Sequence, residues 1–284
     1  MIRAVNVSKS IMCKVINQYT ELYGVLGNPV RHSLSPLMHN AAFSYKDINA
    51  VYMAFESNNV EEAIKGMHGL GIKGMSVTIP HKSSIIPMLD AIDPLAKDIG
   101  AVNTIVNKGE KLIGYNTDAA GALKALEDVV QVSGKNCLIV GAGGAARAIG
   151  YILKRRDVNL FISNRSVDKG EALSKSLDSP FVRLDQLDIV NAEILINTTP
   201  VGMSPDIDFC PVPENVLKPG MTVMDIIYNP KTTKLLHIAS EMGCRTVDGL
   251  GMFIYQGAEQ FRLWTGQEAP VDIMKKVVEE ALYG

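Results

Sequence analysis

Asn136-Cys-Leu-Ile-Val-Gly-Ala-Gly-Gly-Ala-Ala-Arg-Ala-Ile-Gly150 is the stretch that decides the fold of this chain. An apolar segment predicted as a strand runs into Gly141 and Gly143, and the small Ala146 takes the third position of a G-x-G-x-x-A pattern before an apolar helix. Gly141 allows a tight turn, and Gly143 lets the backbone approach a pyrophosphate at the positive end of that helix. The stretch therefore predicts a Rossmann-type dinucleotide-binding domain.

The position of this signature indicates that a further domain precedes it. The signature begins near residue 136 of 284, so about 135 residues come first, enough for a domain of ordinary size. After it, apolar segments alternate with helical patterns, which argues for a parallel sheet with crossover helices. The strands predicted here are 136–140, 159–163, 181–184, 193–198, 222–227 and 245–247.

Two helical patterns, Met252–Trp264 and Val271–Leu282, follow the last of these strands. Their apolar residues recur at helical spacing. They exceed what a Rossmann half needs, so we expect them to pack on the first domain. The predicted fold class is α/β and two-lobed, with an N-terminal α/β substrate domain and a Rossmann-type dinucleotide-binding domain. The substrate domain is expected to be discontinuous, over residues 1–117 and 249–284, and the Rossmann domain to span 118–248.

The first half of the chain combines strands, helices and one hairpin. Ser35-Pro36 resembles a helix start, with Ser35 at the N-cap and the proline in the first turn. Lys108-Gly109 is a turn dipeptide between two apolar strands, and Asp118 is expected to open a helix that runs to about Val130. The other predicted strands are 22–27, 50–56 and 71–79, and the other predicted helices are 60–70, 83–89 and 94–99.

Composition limits the classes of function. The chain is 47% hydrophobic and 20% charged, as soluble globular proteins are, and its net charge of −2 argues against nucleic-acid binding. Its four cysteines lack C-x-x-C spacing and are expected to be reduced thiols of a cytoplasmic protein. No apolar run approaches the ~18 residues of a membrane span, no histidine pair has metal-ligand spacing, and residues 1–20 resemble a loosely specified extension.

Polar residues gather where the predicted strands of the first half end. They are Ser33 and Ser35, Thr78 and Lys82, Asn103, and Asp118 at the boundary between the domains. Ligands of α/β sheets bind beyond the carboxyl ends of the strands, so this set suits a small polyhydroxylated molecule. Taken singly, each residue also has a structural explanation, such as an N-cap for Ser35 and Asp118 or a solvated surface position for Lys82.

Six short segments stand in a fixed order along nearly the whole chain. They are Ser33–Pro36, Val77–Lys82, Gly100–Thr104, Gly114–Asp118, Gly141–Ala145 and Gln256–Phe261. In this order they resemble the shikimate dehydrogenase family. One departure is Ser76, where the family often has asparagine.

The resemblance implies reversible, nicotinamide-dependent reduction of 3-dehydroshikimate to shikimate, a step toward the aromatic amino acids. It implies that Lys82 and Asp118 are the catalytic pair, and a lysine can supply the proton that a developing alkoxide needs. The residues implied to bind this small-molecule substrate are Ser33, Ser35, Thr78, Asn103, Asp118, Tyr228 and Gln256. Those implied to bind the cofactor are Gly141, Ala142, Gly143, Gly144, Ala145, Asn164, Arg165, Ser166, Lys169, Thr198, Ile226 and Gly249.

The residues that follow the strand 159–163 favour NADP over NAD. NAD enzymes tend to place an acidic residue there for the ribose 2′-hydroxyl, whereas this chain has Asn164-Arg165-Ser166, followed by Lys169. Arginine can hold a phosphate through two hydrogen bonds. Asp168 keeps NAD in play as a weaker alternative.

Two other functions stay open at this point, as does a homodimer. One is a quinate/shikimate dehydrogenase that uses NAD as well as NADP, which Tyr52–Glu56 and Gln256–Trp264 also resemble. The other is a non-catalytic sensor that binds a nucleotide and a small acid. The presence of both Lys82 and Asp118 argues against the sensor.

Overall fold

The computed structural model describes residues 16–109 and 111–284. These residues form two compact units. The first unit ends at Thr117 and resumes from Gly257 to Gly284, and the second is Asp118–Gln256. Cys13 and most of the predicted N-terminal extension lie outside the described residues.

Strands and helices alternate along most of the chain. The strands are β1 (Glu21–Gly27), β2 (Ala50–Glu56), β3 (Gly74–Val77), β4 (Ala91–Ile92), β5 (Thr104–Asn107), β6 (Leu112–Tyr115), β7 (Asn136–Val140), β8 (Asn159–Ser163), β9 (Ile194–Asn197), β10 (Thr222–Asp225) and β11 (Arg245–Val247). The α-helices are α1 (Ser35–Tyr45), α2 (Val60–Gly69), α3 (Pro94–Ile99), α4 (Asp118–Glu127), α5 (Gly144–Lys154), α6 (Val167–Ser176), α7 (Lys234–Glu241), α8 (Gly249–Thr265) and α9 (Val271–Tyr283). Short 3₁₀ helices lie at Ile86–Met88, Leu184–Ile189 and Glu214–Val216.

The sheet of the first unit is mixed, in the order β2-β1-β3-β5-β6-β4. β1 pairs in parallel with β2 and β3, and α1 and α2 are the crossovers that parallel neighbours require. β5 pairs antiparallel with β3 and with β6. β5 and β6 are the hairpin predicted around Lys108-Gly109, and Gly109 has φ +77°, which glycine adopts without strain.

The tail of the chain contributes two helices. The division between the units falls inside α8, between Gln256 and Gly257. α9 packs against α1 in the first unit. The sequence analysis places the return to the first domain at residue 249, and the two units divide after Gln256. Both positions lie within α8, and the predicted domain boundaries stay a prediction.

The second unit is a parallel sheet in the order β11-β10-β9-β7-β8. Alternate residues of β7 serve two cores: Cys137 and Ile139 pack into one, and Leu138 and Val140 into the other. A strand buried on both faces is what crossover helices on both sides of a sheet produce. The predicted α/β class, with a Rossmann-type unit, is confirmed.

Two predicted elements are wrong. The helix expected over 83–89 is replaced by turns and the 3₁₀ helix Ile86–Met88. Pro87 has no backbone N–H for an α-helical hydrogen bond, and Leu89 is already extended. The strand expected over 181–184 is reduced to one bridge between Phe181 and Ile162. The chain leaves the sheet there, since Arg183 is already the N-cap of the next 3₁₀ helix.

Two further details differ from the predictions. Ser35 is the first residue of α1, and the N-cap is Leu34, without a side-chain capping bond. The strand predicted over 71–79 shortens to β3, because Gly71 has φ +65° and belongs to a turn.

The described cysteines Cys137, Cys210 and Cys244 are free thiols. Burial raises the pKa of each, which keeps them protonated and poorly nucleophilic. Among the described residues, no helix is both long enough and apolar enough to cross a membrane.

Candidate active site

The turn between β7 and α5 depends on the absence of a side chain at position 141. Gly141 has φ +120°, which residues with a Cβ rarely adopt, and a Cβ there would collide with Oγ1 of Thr198. Thr198 donates from that Oγ1 to the carbonyl of Val140 at 2.8 Å. The structure therefore brings together Gly141 and Thr198, two members of the predicted cofactor set.

The N-terminus of α5 follows this turn directly, at Ala142–Ala145. Gly143 is the N-cap and forms no side-chain capping bond, and the first N–H groups of a helix have no partner within the helix. Gly143 and Gly144 are exposed, with open space where Cβ atoms would stand. A bare helix N-terminus of this shape fits a pyrophosphate, so the turn is compatible with a dinucleotide.

The residues predicted to discriminate between cofactors lie together after β8. Asn164 donates from Nδ2 to the carbonyl of Ser166 at 2.9 Å, which holds the turn that presents Arg165 to solvent. Ser166 is the N-cap of α6, and the exposed Lys169 lies in the first turn of that helix. Arg165 and Lys169 beside a helix N-terminus suit an anion such as a 2′-phosphate.

A buried carboxylate that the sequence analysis missed holds the ends of β9 and β10. Asp225 is fully buried and accepts three hydrogen bonds. The donors are Asn197 Nδ2 at 3.0 Å, Thr233 Oγ1 at 2.7 Å and the N–H of Ile227 at 3.1 Å. Burial raises the pKa of Asp225 to about 6, although the three donors act in the opposite direction. The network fixes the two loops that carry predicted cofactor residues after each strand.

Ile226 and Gly249, also in the predicted cofactor set, contact each other. A Cβ at position 249 would collide with the carbonyl of Ile226, and the N–H of Gly249 donates to the carbonyl of Ile227 at 3.2 Å. Position 249 thus requires glycine for packing alone, whatever else it binds.

Tyr228 and Gln256, two predicted substrate residues, both lie in the second unit, and both contact Phe253 of α8. The rings of Tyr228 and Phe253 have centroids 5.1 Å apart, and Gln256 donates from Nε2 to the carbonyl of Phe253 at 3.0 Å. Gly121 of α4 lets α8 approach, because a Cβ there would lie 2.6 Å from the backbone nitrogen of Gln256. Burial raises the pKa of Tyr228, so its hydroxyl stays protonated and can donate.

In the first unit, Thr78 and Lys82 lie on the segment that follows β3. The N–H of Thr78 donates to the carbonyl of Leu26 at 2.9 Å, and the carbonyl of Lys82 accepts from the N–H of Val102 at 2.8 Å. His81 Nε2 is hydrogen-bonded to the backbone carbonyl of Ser57 at 2.6 Å. The backbone beneath the half-buried Lys82 side chain is therefore anchored on both sides.

Asn103 is buried, and its amide group is bonded at both ends. Its Nδ2 donates to Thr117 Oγ1 at 3.0 Å, and its Oδ1 accepts from the N–H of Thr117 at 2.7 Å. Thr104 also donates from Oγ1 to that Oδ1, at 2.8 Å. Thr117 is the residue before Asp118, so Asn103 fixes the end of the segment that leads to the second member of the predicted catalytic pair.

A buried polar network, which the sequence analysis did not find, is hydrogen-bonded to Asn103. Its centre is Gln260 of α8, which is 1% exposed. Gln260 Oε1 accepts from Ser76 Oγ at 2.8 Å, and Gln260 Nε2 donates to Thr104 Oγ1 at 3.0 Å. The signal that could have revealed it is a polar residue in an otherwise apolar position, as Ser76 is within β3.

The same network reaches the two serines that follow β1. Tyr52 donates from its hydroxyl to Ser76 Oγ at 2.6 Å and is also hydrogen-bonded to the Ser35 side chain. Ser33 Oγ accepts from the N–H of Ser35 at 3.2 Å. One buried hydrogen-bond network therefore connects the predicted substrate residues Ser33, Ser35 and Asn103 of this unit.

His39 also belongs to this buried network, as a neutral ring. Its Nε2 lies 3.3 Å from Gln260 Oε1, and its ring stacks on Tyr52 with centroids 4.6 Å apart. Complete burial lowers the pKa of His39 to about 3, against the smaller effect of the Gln260 bond. Because the ring is uncharged at neutral pH, it contributes packing and one hydrogen bond.

Comparison with models of known families gives matches in both units. Residues 25–105 match the shikimate dehydrogenase substrate binding domain, and residues 122–203 match shikimate / quinate 5-dehydrogenase. Residues 249–279 match the shikimate 5′-dehydrogenase C-terminal domain.

Individual proteins match over almost their whole length. Shikimate dehydrogenase (NADP(+)) of Pyrococcus furiosus is 47% identical over 271 residues, which cover 93% of this chain and 97% of that relative. The protein of the same name from Methanocaldococcus jannaschii is 47% identical over 278 residues, covering 93% and 98%. The crystal structure of shikimate 5-dehydrogenase from Thermus thermophilus, in complex with NADP(H) and shikimate, has a TM-score of 0.87 at 32% identity and covers 93% of this chain and 100% of that one.

Fold and comparisons together define an α/β oxidoreductase with a dinucleotide-binding turn. Identity of this level over this length goes beyond the class. The chain belongs to the shikimate dehydrogenase family.

Proposed function

We propose that this protein catalyses the reversible, NADP-dependent reduction of 3-dehydroshikimate to shikimate, in the pathway to chorismate and the aromatic amino acids. The observation that carries the proposal is the high identity, over nearly the whole chain, to relatives named shikimate dehydrogenase (NADP(+)). The second unit supports it, because the open N-terminus of α5 fits a pyrophosphate, and Arg165 and Lys169 suit a 2′-phosphate.

The proposed roles of the catalytic pair follow from the charge that develops on the substrate. When bound, the nicotinamide supplies a hydride to the carbonyl carbon. Lys82 donates a proton from Nζ to the carbonyl oxygen, which would otherwise become an alkoxide, and takes that proton back in the reverse direction. Asp118, the second member of the proposed pair, accepts a hydrogen bond from a substrate hydroxyl.

The other proposed site residues bind the substrate before the chemical step. The hydroxyls of Ser33 and Ser35 suit a carboxylate, and the remaining hydroxyl and amide groups suit the ring hydroxyls of the substrate. These remaining groups belong to Thr78, Asn103, Tyr228 and Gln256. The buried network beneath Ser35 and Asn103 limits the motion of both, which lowers the entropic cost of binding.

Initial rates with shikimate or quinate, each paired with NADP or NAD, test the proposal. Shikimate with NADP should give the highest kcat/KM. Some quinate turnover is expected, because a pocket rejects an added hydroxyl by only about 10²-fold. Quinate with NAD at or above shikimate with NADP would favour the alternative, a quinate/shikimate dehydrogenase that uses both cofactors. Binding without turnover of either acid would identify a sensor.

The finer parts of the proposal are a cytoplasmic location and a homodimer. Light scattering on the purified protein tests the second, with twice the mass of one chain as the expected result. Fractionation of cells that express the protein tests the first.

A further inference from the structure

A cleft in the second unit lies between the turn after β8 and the start of the 3₁₀ helix Leu184–Ile189. Its volume is about 160 Å³, and its lining residues are Asn164, Arg165, Val167, Arg183, Leu184 and Asp185. Half of this lining is the turn that is proposed to select NADP. The other half comes from a segment to which no cofactor role has been assigned.

The pairing of Phe181 with β8 explains why the two halves meet. Ile162 of β8 forms a parallel bridge with Phe181, and its backbone bonds to the carbonyl of Pro180 at 2.9 Å and the N–H of Val182 at 2.8 Å. Parallel neighbours leave a sheet at the same edge. Arg183 therefore emerges beside the residues that follow β8, the edge at which Rossmann folds bind their ligands.

The side chains that face this cleft carry two positive charges and one negative charge. Arg183 is 60% exposed and donates from Nε to Asp185 Oδ1 at 3.3 Å. That bond uses one of the five N–H donors of the guanidinium group. Arg165, on the opposite side of the cleft, is exposed.

We propose that Arg183 is a specificity-determining residue, which binds the 2′-phosphate of NADP together with Arg165. This inference rests on the proposed function, because it adds a residue to the cofactor side of the same reaction. A phosphate monoester carries close to two negative charges at neutral pH, enough for two guanidinium groups. NAD has only a hydroxyl at that position, so Arg183 distinguishes the cofactors by charge.

The ion pair with Asp185 does not prevent this role. Exposed ion pairs contribute little, so a doubly charged phosphate competes successfully for Arg183. If Arg183 served only to pair with Asp185, removing either member would have the same effect. The two substitutions separate the explanations, because the carboxylate of Asp185 repels the phosphate that Arg183 attracts.

Steady-state kinetics with saturating shikimate measure KM for NADP and for NAD in three variants. Arg183→Gln should raise KM for NADP about tenfold, the loss of one charge-assisted hydrogen bond, and change KM for NAD far less. Asp185→Asn should leave KM for NADP unchanged or lower it. Arg156→Gln is the matched control, since Arg156 is also exposed, in the same unit, and paired with Glu127 at 3.7 Å. Equal changes for both cofactors in Arg183→Gln, or an effect no larger than that of the control, would overturn the inference.

Calorimetric titration with adenosine 2′,5′-bisphosphate and adenosine 5′-monophosphate tests the inference without turnover. Arg183→Gln should weaken binding of the bisphosphate about tenfold and leave the monophosphate nearly unaffected. A wild-type protein that binds the bisphosphate through Arg183 but does not oxidise shikimate would refute the proposed function and retain the inference. A wild-type protein that binds both nucleotides equally well, or neither, would overturn the inference whatever its activity.

Discussion

Lys82 is the side chain whose chemical role can be separated from binding. Lys82→Ala should lower kcat at least ~10²-fold, the usual share of general acid–base catalysis. KM for NADP should change little, because Lys82 belongs to the first unit and the predicted cofactor residues to the second. Stopped-flow and steady-state rates measure both. Lys275→Ala, at an exposed lysine of the same unit, is the control. Near-native turnover with a tenfold higher KM for shikimate would make Lys82 a binding residue and not an acid.

Arg165 is the residue that we propose to determine the choice of cofactor. Arg165→Ala should raise the free energy of NADP binding by roughly 1.5–3 kcal/mol, the range for a hydrogen bond to a charged group, and affect NAD much less. Competition between the two cofactors in a binding assay measures the difference. Equal losses for both would mean that Arg165 stacks on the adenine or supports its own loop.

The residues whose chemistry is local are the ones that the sequence could predict. Gly141 and Arg165 belong to short patterns from which a turn can be predicted, and the structure has a turn at each of them; their roles in binding stay predictions. Asp225 could not be predicted, because its burial depends on the place of β10 inside the sheet and not on its neighbours in sequence. Gln260 could not be predicted, because its partners lie far away in sequence. Gln260 and Thr104, for example, are 156 positions apart.

At the scale of elements, a side chain at position 141 of the β7–α5 turn would destabilise the protein in two ways, through backbone strain and through a collision. A pair of variants separates the two effects. Gly141→Ala places a side chain at φ +120° and against Thr198 Oγ1. Gly134 also has a positive φ, +74°, but a Cβ there would have open space around it. Gly134→Ala should destabilise the protein by about 1 kcal/mol through backbone strain. Gly141→Ala should cost more than Gly134→Ala and weaken NADP binding at least tenfold. Urea denaturation and cofactor titration provide the two measurements, and equal effects of both variants would show that the contact with Thr198 relaxes freely.

Elements with strong patterns were predictable to the residue, and those decided by neighbours were not. β7 and β8 have the predicted bounds because each is an apolar run between turn signals. The segment at 181–184 has the same apolar content, yet it becomes a single bridge and a 3₁₀ helix. Its hydrophobic residue Val182 is buried in the core without strand geometry, which burial alone allows and which no local pattern reveals.

Across the whole molecule, the two units should respond in opposite directions to mild acid. The pKa of His39, lowered to about 3, favours the folded first unit above the unfolded value of 6.5, and this stability is lost as the pH falls below that value. The pKa of Asp225, raised to about 6, favours the folded second unit at low pH, and this stability is lost as the pH rises through 6. Between pH 7 and pH 5, each contribution should be roughly 1–2 kcal/mol.

Hydrogen exchange, corrected for the intrinsic pH dependence of amide rates, measures this difference. Amides of β3 should lose protection at pH 5, and amides of β10 should gain it. His39→Phe should abolish the first change, and Asp225→Asn the second, each without altering the other unit. A parallel loss of protection in both units of the wild-type protein would contradict the assignment.

The order of the chain has a consequence for its synthesis. The second unit is one continuous stretch and is complete once Gln256 has been added, whereas the first unit still lacks the segment from Gly257 onward. Domains fold as units while the ribosome is still translating. Gln260 belongs to that last segment, so the buried hydrogen-bond network around Ser35 and Asn103 forms only after Gln260 has been added to the chain. The second unit can therefore fold before the first is complete, and Ser33, Ser35 and Asn103 of the first unit reach their final positions after it.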